Sequence, residues 1–265
     1  DWKDPKALIV HSSNTMETRR SAFGTSVLTP TDQLYVRNNL PPPDASILDN
    51  RDAWTISIEG VKNPRTFSLG ELKTMGLETV ATVLQCSGNG RGFFSSKPSG
   101  TQWTVGAAGC VFWSGVPVRT VVAALGGGVD GTVYLTGTGG EKLPDGVDPL
   151  SVLVERSVPI EALGDAILAW ELNGEPIPLA HGGPLRLVVP GYQGVNNIKY
   201  IKRLALTRPE CINPDLPAHE RAKVTTWQAD VLERVDVANL PGYLRNRVQM
   251  RRASVWGAAA WHRLA

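Results

Sequence analysis

The chain has 265 residues, 42% of them hydrophobic, enough for a sizeable core in one large domain or two small ones. Its 27 basic and 25 acidic side chains leave a formal charge of +2, which excludes a strong long-range field for nucleic acid or an anionic membrane and makes any anion recognition local. No stretch approaches the roughly 18 apolar residues of a membrane span, and Asp1-Trp2-Lys3-Asp4-Pro5 does not read as a signal peptide, so a soluble, mature form is expected.

In chain order, the first 50 residues are polar and proline-rich, with Thr29-Pro30 and Pro41-Pro42-Pro43 forcing extended or turning backbone, and predict a wrapping arm. Trp54 to Glu59 alternates as a half-buried strand does, and Ser68-Leu69-Gly70-Glu71 has capping-box spacing before a short helix. Val83-Leu84-Gln85 is strand-like and delivers Cys86 into the glycine-rich loop Ser87-Gly88-Asn89-Gly90-Arg91-Gly92. Pro117 to Leu125 predicts a helix with proline near its start, and Thr132 to Thr136 a strand. Ala166 to Leu172 runs into Asn173-Gly174, a strong hairpin signal, with Pro176 to Leu179 as the return. Leu185 to Gly191 follows, and Asn197 to Leu206 predicts a strand carrying several cations, which on their own read equally well as a solvated face.

There is neither an internal repeat nor a low-complexity linker. The fold class is α+β, mixed sheets with short helices, in one domain over residues 1–235 that includes the arm. Residues 236–265 form a short tail. Its end, RRASVWGAAAWHRLA, holds Trp256 and Trp261 and reads either as a short amphipathic helix or as a disordered terminus.

Cys86, Cys110 and Cys211 are an odd set without C-x-x-C spacing, which excludes a disulfide scaffold and a zinc site of the usual kind. The four histidines, His11, His181, His219 and His262, form no metal-binding pair on a helix. Three readings of Cys86 stay open: a small buried hydrophobe, a hydrolase nucleophile served by His181, and a ligand to a soft metal. Its place where strand becomes glycine-rich loop, with Arg91 five residues on, favours an exposed thiolate. No G-x-S-x-G elbow accompanies it. Cys110 and Cys211 read as structural.

Five segments in one order then carry a resemblance. They are Leu34-Tyr35-Val36-Arg37-Asn38-Asn39-Leu40-Pro41; Leu84-Gln85-Cys86-Ser87-Gly88-Asn89 with Arg91; Gly100-Thr101-Gln102-Trp103 with Trp113-Ser114-Gly115-Val116; Glu171 to Pro178 leading into His181-Gly182-Gly183-Pro184-Leu185-Arg186 and on to Gly191; and Asn197-Ile198-Lys199-Tyr200-Ile201-Lys202. Together they resemble the molybdopterin-binding domain of the sulfite oxidase and sulfite dehydrogenase family, bacterial haem-free type, over about residues 26–206.

The resemblance implies an α+β domain in which the Cys86 thiolate binds molybdenum beside the dithiolene of a pyranopterin. Soft sulfur suits such a metal. Arg37 and Arg91 match positions that hold a small oxyanion, where a guanidinium offers permanent charge and a planar donor fork; Trp103 would wall the pocket. Each also has an ordinary structural reading, as a loop brace, a turn cap and plain core. Tyr35 is included with the cofactor-binding set, His181, Arg186 and Lys199 match cofactor positions, and Asn38, Asn39, Asn197 and Lys202 are weaker candidates. Backbone N–H groups of the Gly191 to Gly194 turn would help cradle the cofactor's phosphate.

The sequence also departs from the family pattern. Asn39 stands where the family commonly has histidine, and asparagine cannot titrate near neutral pH. No clear tyrosine match appears near Thr225-Thr226-Trp227-Gln228, which leaves only Tyr243. The residues after Tyr243 are too few for the family's immunoglobulin-like dimerisation domain.

The implied activity is oxidation of sulfite to sulfate. With no C-x-x-C-H haem motif in the chain, electrons would pass to an external carrier such as a c-type cytochrome. The expected location is periplasmic, with the cytoplasm as the other reading. Other readings are a molybdenum oxidoreductase of another sulfur compound or oxyanion, such as a sulfur dehydrogenase or a sulfoxide or nitrate reductase, a metal-free binding module, and the thiol hydrolase.

Overall fold

A computed structural model describes residues 2–208 except 25, 39, 144 and 147–153. Cys211, Thr225 to Gln228, Tyr243, the proposed end of the domain at residue 235 and the tail 236–265 lie outside the described residues, as does Asn39.

Two five-stranded sheets and a small three-stranded one make up the α+β architecture. The small sheet joins β1 (Leu8–Ser12), β2 (Thr15–Thr18) and β3 (Val36–Arg37). The stretch expected to be a wrapping arm therefore carries a sheet of its own. Its strands are short, so it depends on partners elsewhere in the chain.

The second sheet has β10 (Ile167–Leu172) between β7 (Ala108–Pro117) and two short strands, β11 (Glu175–Pro176) and β12 (Arg186–Val188). Its far edge is β6 (Glu78–Gln85), paired antiparallel with β7 along its whole length. The Asn173-Gly174 turn forms as predicted, with φ of 54° and 84° at its two central residues, but the return strand is only two residues long. The third sheet runs β5-β4-β13-β8-β9 in space: β5 (Arg65–Ser68), β4 (Thr55–Glu59), β13 (Arg203–Thr207), β8 (Tyr134–Thr138) and β9 (Glu155–Pro159). β13 pairs parallel with β4 and antiparallel with β8.

Two short helices close the core. α1 (Leu69–Lys73) starts at the predicted capping box: the Glu71 N–H donates to Ser68 Oγ at 3.1 Å and Glu71 Oε2 accepts from the Ser68 N–H at 2.8 Å. α2 (Val118–Ala124) follows Pro117 directly and buries Val118, Val121 and Val122. The larger core packs Ile56 and Ile58 of β4, Leu69 and Leu72 of α1 and Leu135 of β8 together with Leu204 of β13. A second cluster gathers Tyr35, Trp103, Trp113 and Val188.

One expectation needs correcting. Asn197 to Leu206 is not one strand: only Arg203–Thr207 is extended and paired, and Tyr200 has a φ of +49°. The backbone of the run is used elsewhere: the Tyr200 N–H donates to the Gly182 carbonyl and the Ile201 N–H to the Leu185 carbonyl, both at 3.1 Å. The Asn197 side chain shapes the adjoining turn, its Oδ1 accepting from the Val189 N–H at 2.8 Å and its Nδ2 donating to the carbonyls of Tyr192 at 3.2 Å and Gln193 at 2.9 Å.

The small sheet is tied to the rest by Glu17, which is fully buried. Its carboxylate accepts from the Thr104 N–H, the Thr104 hydroxyl and the Gly106 N–H, and meets His11 Nε2 at 2.8 Å. Burial opposes the charged form, but the bonds from Thr104, Gly106 and His11 prevail and hold its pKa below the usual value. Glu17→Ala should cost about 3 kcal/mol, since it strands several buried donors. Because a depressed folded pKa stabilises above the ordinary carboxylate range and that contribution is lost as pH falls, the cost should shrink on acidification; urea unfolding of both proteins at neutral and acidic pH checks both points.

Candidate active site

β6 ends at Gln85, and Cys86 begins a loop laced to the segment before β7. The Cys86 N–H donates to the Ala107 carbonyl at 2.8 Å, the Gly90 N–H to Thr104 at 2.7 Å and the Gly92 N–H to Trp103 at 2.7 Å. Asn89 completes the lacing by accepting from the Ala107 N–H at 3.0 Å. Cys86 is half-buried, carries no disulfide and lines a cavity of about 250 Å³.

Arg91 reaches the same cavity through a slot between two glycines. A Cβ on Gly88 would lie 2.6 Å from its Nη2, and one on Gly100 2.4 Å from its Nη1, so both positions exclude any larger residue while the guanidinium stays in place. Its Nη1 donates to the Thr101 carbonyl at 3.2 Å. Trp103, with no exposed surface, forms the neighbouring wall and stacks edge-on with His11 at 5.2 Å and Tyr35 at 6.1 Å.

β3 presents the next three residues. Tyr35 is buried, and its phenol is held protonated far above the usual range, first by burial and then by the nearby Cys86 sulfur. Arg37 Nη1 donates to the Asn38 carbonyl at 2.6 Å. Asn38 in turn accepts from Lys199 Nζ at 2.5 Å through its Oδ1.

The far end of the cavity gathers positive charge. His181 is 1% exposed and Arg186 2%. Arg186 donates from Nη1 to the His181 carbonyl at 2.7 Å and from Nη2 to the Asn197 carbonyl at 3.2 Å, with its guanidinium 5.0 Å above Trp113. Burial lowers its pKa to about 10 and pushes Lys199 well below its ordinary value, with Arg186 adding repulsion. His181 is kept neutral by burial and then by Lys3, Lys199 and Arg186. Lys3, from the N-terminal segment, lies behind it: Nζ sits 2.9 Å from His181 Nε2 and donates to the carbonyls of Thr31 at 2.7 Å and Leu34 at 2.6 Å. Lys3 thus occupies Nε2, one of the two ring nitrogens of His181.

Thus Tyr35, Arg37, Asn38, Cys86, Arg91, Trp103, His181, Arg186, Asn197 and Lys199 border one cavity. Lys202 does not. Its ammonium lies 3.4 Å from the centroid of the Trp54 ring and 3.3 Å from the Thr55 carbonyl. The sequence reading missed Glu141 and Arg156, which also line the cavity, and Lys3 behind His181. No local pattern marks any of the three.

The donor set fits a bound anionic cofactor. Five cationic side chains and one carboxylate line the cavity among the described residues. The Arg186 Nε and Trp103 Nε1 donors are buried there without a protein partner, a costly state unless a ligand completes it.

Comparison with known proteins agrees with this chemistry. Residues 41–214 match the family model described as oxidoreductase molybdopterin binding domain. The chain is 31% identical to the mitochondrial sulfite oxidase of Drosophila melanogaster over 69% of its own length and 31% of that protein's. It is 34% identical to the NADPH nitrate reductase of Phytophthora infestans over 77% of its own length and 23% of that protein's. It therefore spans less than a third of either relative. The sulfane dehydrogenase SoxCD of Paracoccus pantotrophus shares the fold with a TM-score of 0.61, at 24% identity over 75% of this chain and 48% of that one.

Charge crowding at the far end has a measurable consequence. Burial lowers the Lys3 pKa to about 7, opposed by Asp32. The unfolded chain then binds more protons between about pH 7 and the ordinary lysine value, so this group makes stability rise with pH over that window. Thermal unfolding of cofactor-free protein should show that rise, and Lys3→Met should flatten it. Added phosphate should stabilise the protein more at neutral than at alkaline pH.

Proposed function

The chain belongs to the family of oxidoreductase molybdopterin-binding domains, and on that premise we propose that it exchanges two electrons with a small sulfur compound or oxyanion at molybdenum held by the Cys86 thiolate. The observation that carries this reading is one cavity in which a free cysteine, two loop-anchored arginines and a cation-rich far end come together.

When bound, the molybdenum cofactor supplies two-electron exchange coupled to movement of one oxygen atom. The chain's own residues do the rest. Cys86 offers a soft anionic ligand, and the lacing to Ala107, Thr104 and Trp103 fixes where its sulfur lies. Arg186 and Lys199 hold the cofactor's phosphate, with His181 as a neutral hydrogen-bonding partner. Asn38 fixes Lys199, and Asn197 spends its side chain on shaping the adjoining turn. Arg37 and Arg91 attract and orient the oxyanion, Trp103 excludes water and holds a buried indole N–H without a partner among the described residues, and Tyr35 offers a neutral phenol rather than a charge.

Sulfite oxidation is the narrower form of the proposal: sulfite and water give sulfate, two protons and two electrons. The identity with a sulfite oxidase favours it. A similar identity with nitrate reductases favours the wider class equally, in which the substrate is nitrate or another sulfur compound. For the electrons we propose an external c-type cytochrome as acceptor, and a periplasmic location. Among the described residues no helix is long and apolar enough to cross a membrane.

Protein made in a host that supplies the pterin should carry stoichiometric molybdenum by elemental mass spectrometry, and Cys86→Ser should lose most of it. A panel of sulfite, thiosulfate, nitrate and a sulfoxide with one-electron mediators then identifies the substrate. On that substrate Arg91→Gln should raise KM by roughly tenfold or more, the scale of a lost charge-assisted contact. Wild-type protein free of molybdenum would defeat the proposal.

A further inference from the structure

The Lys3 ammonium meets a group 178 positions along the chain. It sits among three acceptors: the carbonyls of Thr31 at 2.7 Å and Leu34 at 2.6 Å, and His181 Nε2 at 2.9 Å. An ammonium has three N–H donors and no acceptor, so these three partners use all of it. Trp2 packs against both ends of the pair, its ring centroid 4.4 Å from the Lys3 ammonium and its ring edge-on to that of His181 at 5.6 Å. Among the described residues no ion pair joins Lys3 to a carboxylate, the usual partner of a lysine withdrawn from water. Its side chain is spent on two carbonyls and an imidazole instead.

This arrangement decides how His181 carries its proton. The ring is buried, and with Lys3, Lys199 and Arg186 acting on it, it stays neutral and has one proton to place. A group that can only donate stands at Nε2, so Nε2 accepts and the proton belongs on Nδ1. A carbonyl at Nε2 would draw the proton to that nitrogen, and a carboxylate there would favour a second proton on the ring. Lysine does neither. His181 lines the cavity, whereas Lys3 does not, so Lys3 can act on a bound ligand only through the ring.

We propose that Lys3 is a positioning residue: it holds His181 as the Nδ1–H tautomer and so makes the ring a hydrogen-bond donor for the anion bound in the cavity. Phosphate oxygens accept and do not donate, which is why the choice of tautomer matters to them. The role given to the donor rests on the proposed function, in which that anion is the cofactor's phosphate; the tautomer itself does not.

The test reads the tautomer directly. Two-bond 1H–15N correlation of the imidazole rings separates protonated from unprotonated nitrogens, and with four histidines in the chain His181→Gln identifies the signal. Cofactor-free wild type at mildly acidic pH, where Lys3 carries its charge, should show His181 protonated on Nδ1 alone. Lys3→Met should lose that pattern, because the Thr31 and Leu34 carbonyls are then free to accept from Nε2–H; the backbone amide spectrum of the same sample reports whether the variant is folded. In full chains loaded with cofactor, Lys3→Met should release the pterin roughly tenfold faster during dialysis, the scale on which a partner that orients a ligating group acts, as followed by the fluorescence of its oxidised form. A wild-type ring protonated on Nε2 would overturn the inference whatever the variant does. So would an unchanged tautomer, or an unchanged release rate, in Lys3→Met. Because the tautomer is read without cofactor, its failure is distinct from failure of the cofactor reading, which wild-type protein holding no pterin would overturn together with the role given to the donor.

Discussion

The burial of positive charge in one cavity is the constraint around which the rest of the molecule is arranged. Among the described residues, five cationic side chains share a cavity with one carboxylate, and Arg186 sits among them almost without solvent. Burying an unpaired cation is costly. The fold meets part of that cost with backbone carbonyls: Ala180 for Lys199, His181 and Asn197 for Arg186, and Asn38 for Arg37. These bonds orient the donors, and the Arg186 Nε stays without a partner among the described residues, so that end of the site favours an anion. The same preference explains how a chain of nearly balanced charge binds an anionic cofactor: the field is generated locally, where water is scarce, rather than by the whole surface.

Much of the fold was legible in short sequence patterns because those patterns act over short distances. Ser68 and Glu71, three residues apart, cap α1 by each bonding to the other's backbone, and Asn173-Gly174 makes its turn with its own backbone angles. The small N-terminal sheet was not legible, since it depends on Glu17 reaching Thr104 and Gly106 far along the chain. The run from Asn197 misled for a related reason. Its alternating apolar residues imitate a strand, but the Tyr200 and Ile201 N–H groups bond to the carbonyls of Gly182 and Leu185 rather than to a strand partner.

The site shows the same division. Cys86, Arg91, Trp103, His181 and Arg186 sit in segments whose glycines, prolines and chemistry-bearing residues occur together, and the structure brings them to one cavity. Lys202 shared a segment with Lys199 but turns onto the Trp54 face, where a cation–π contact suits it. Lys3, Glu141 and Arg156 had no such company in the sequence. Lys3 comes to His181 from the start of the chain, and Arg156 reaches the cavity from β9, opposite Gly137 in the register. Only tertiary structure gives these residues a common address.

The position of β13 sets an order of events during synthesis. It lies between β4 and β8, pairing parallel with one and antiparallel with the other, yet it is made after every other described strand. The third sheet stays split until residues 203–207 have left the ribosome, and Lys199, just upstream, cannot be locked against Ala180 and Asn38 before then. A non-local parallel pairing of this kind forms slowly. The cation-rich end is therefore among the last parts of the described chain to be made, and the full set of contacts around the cavity exists only after that.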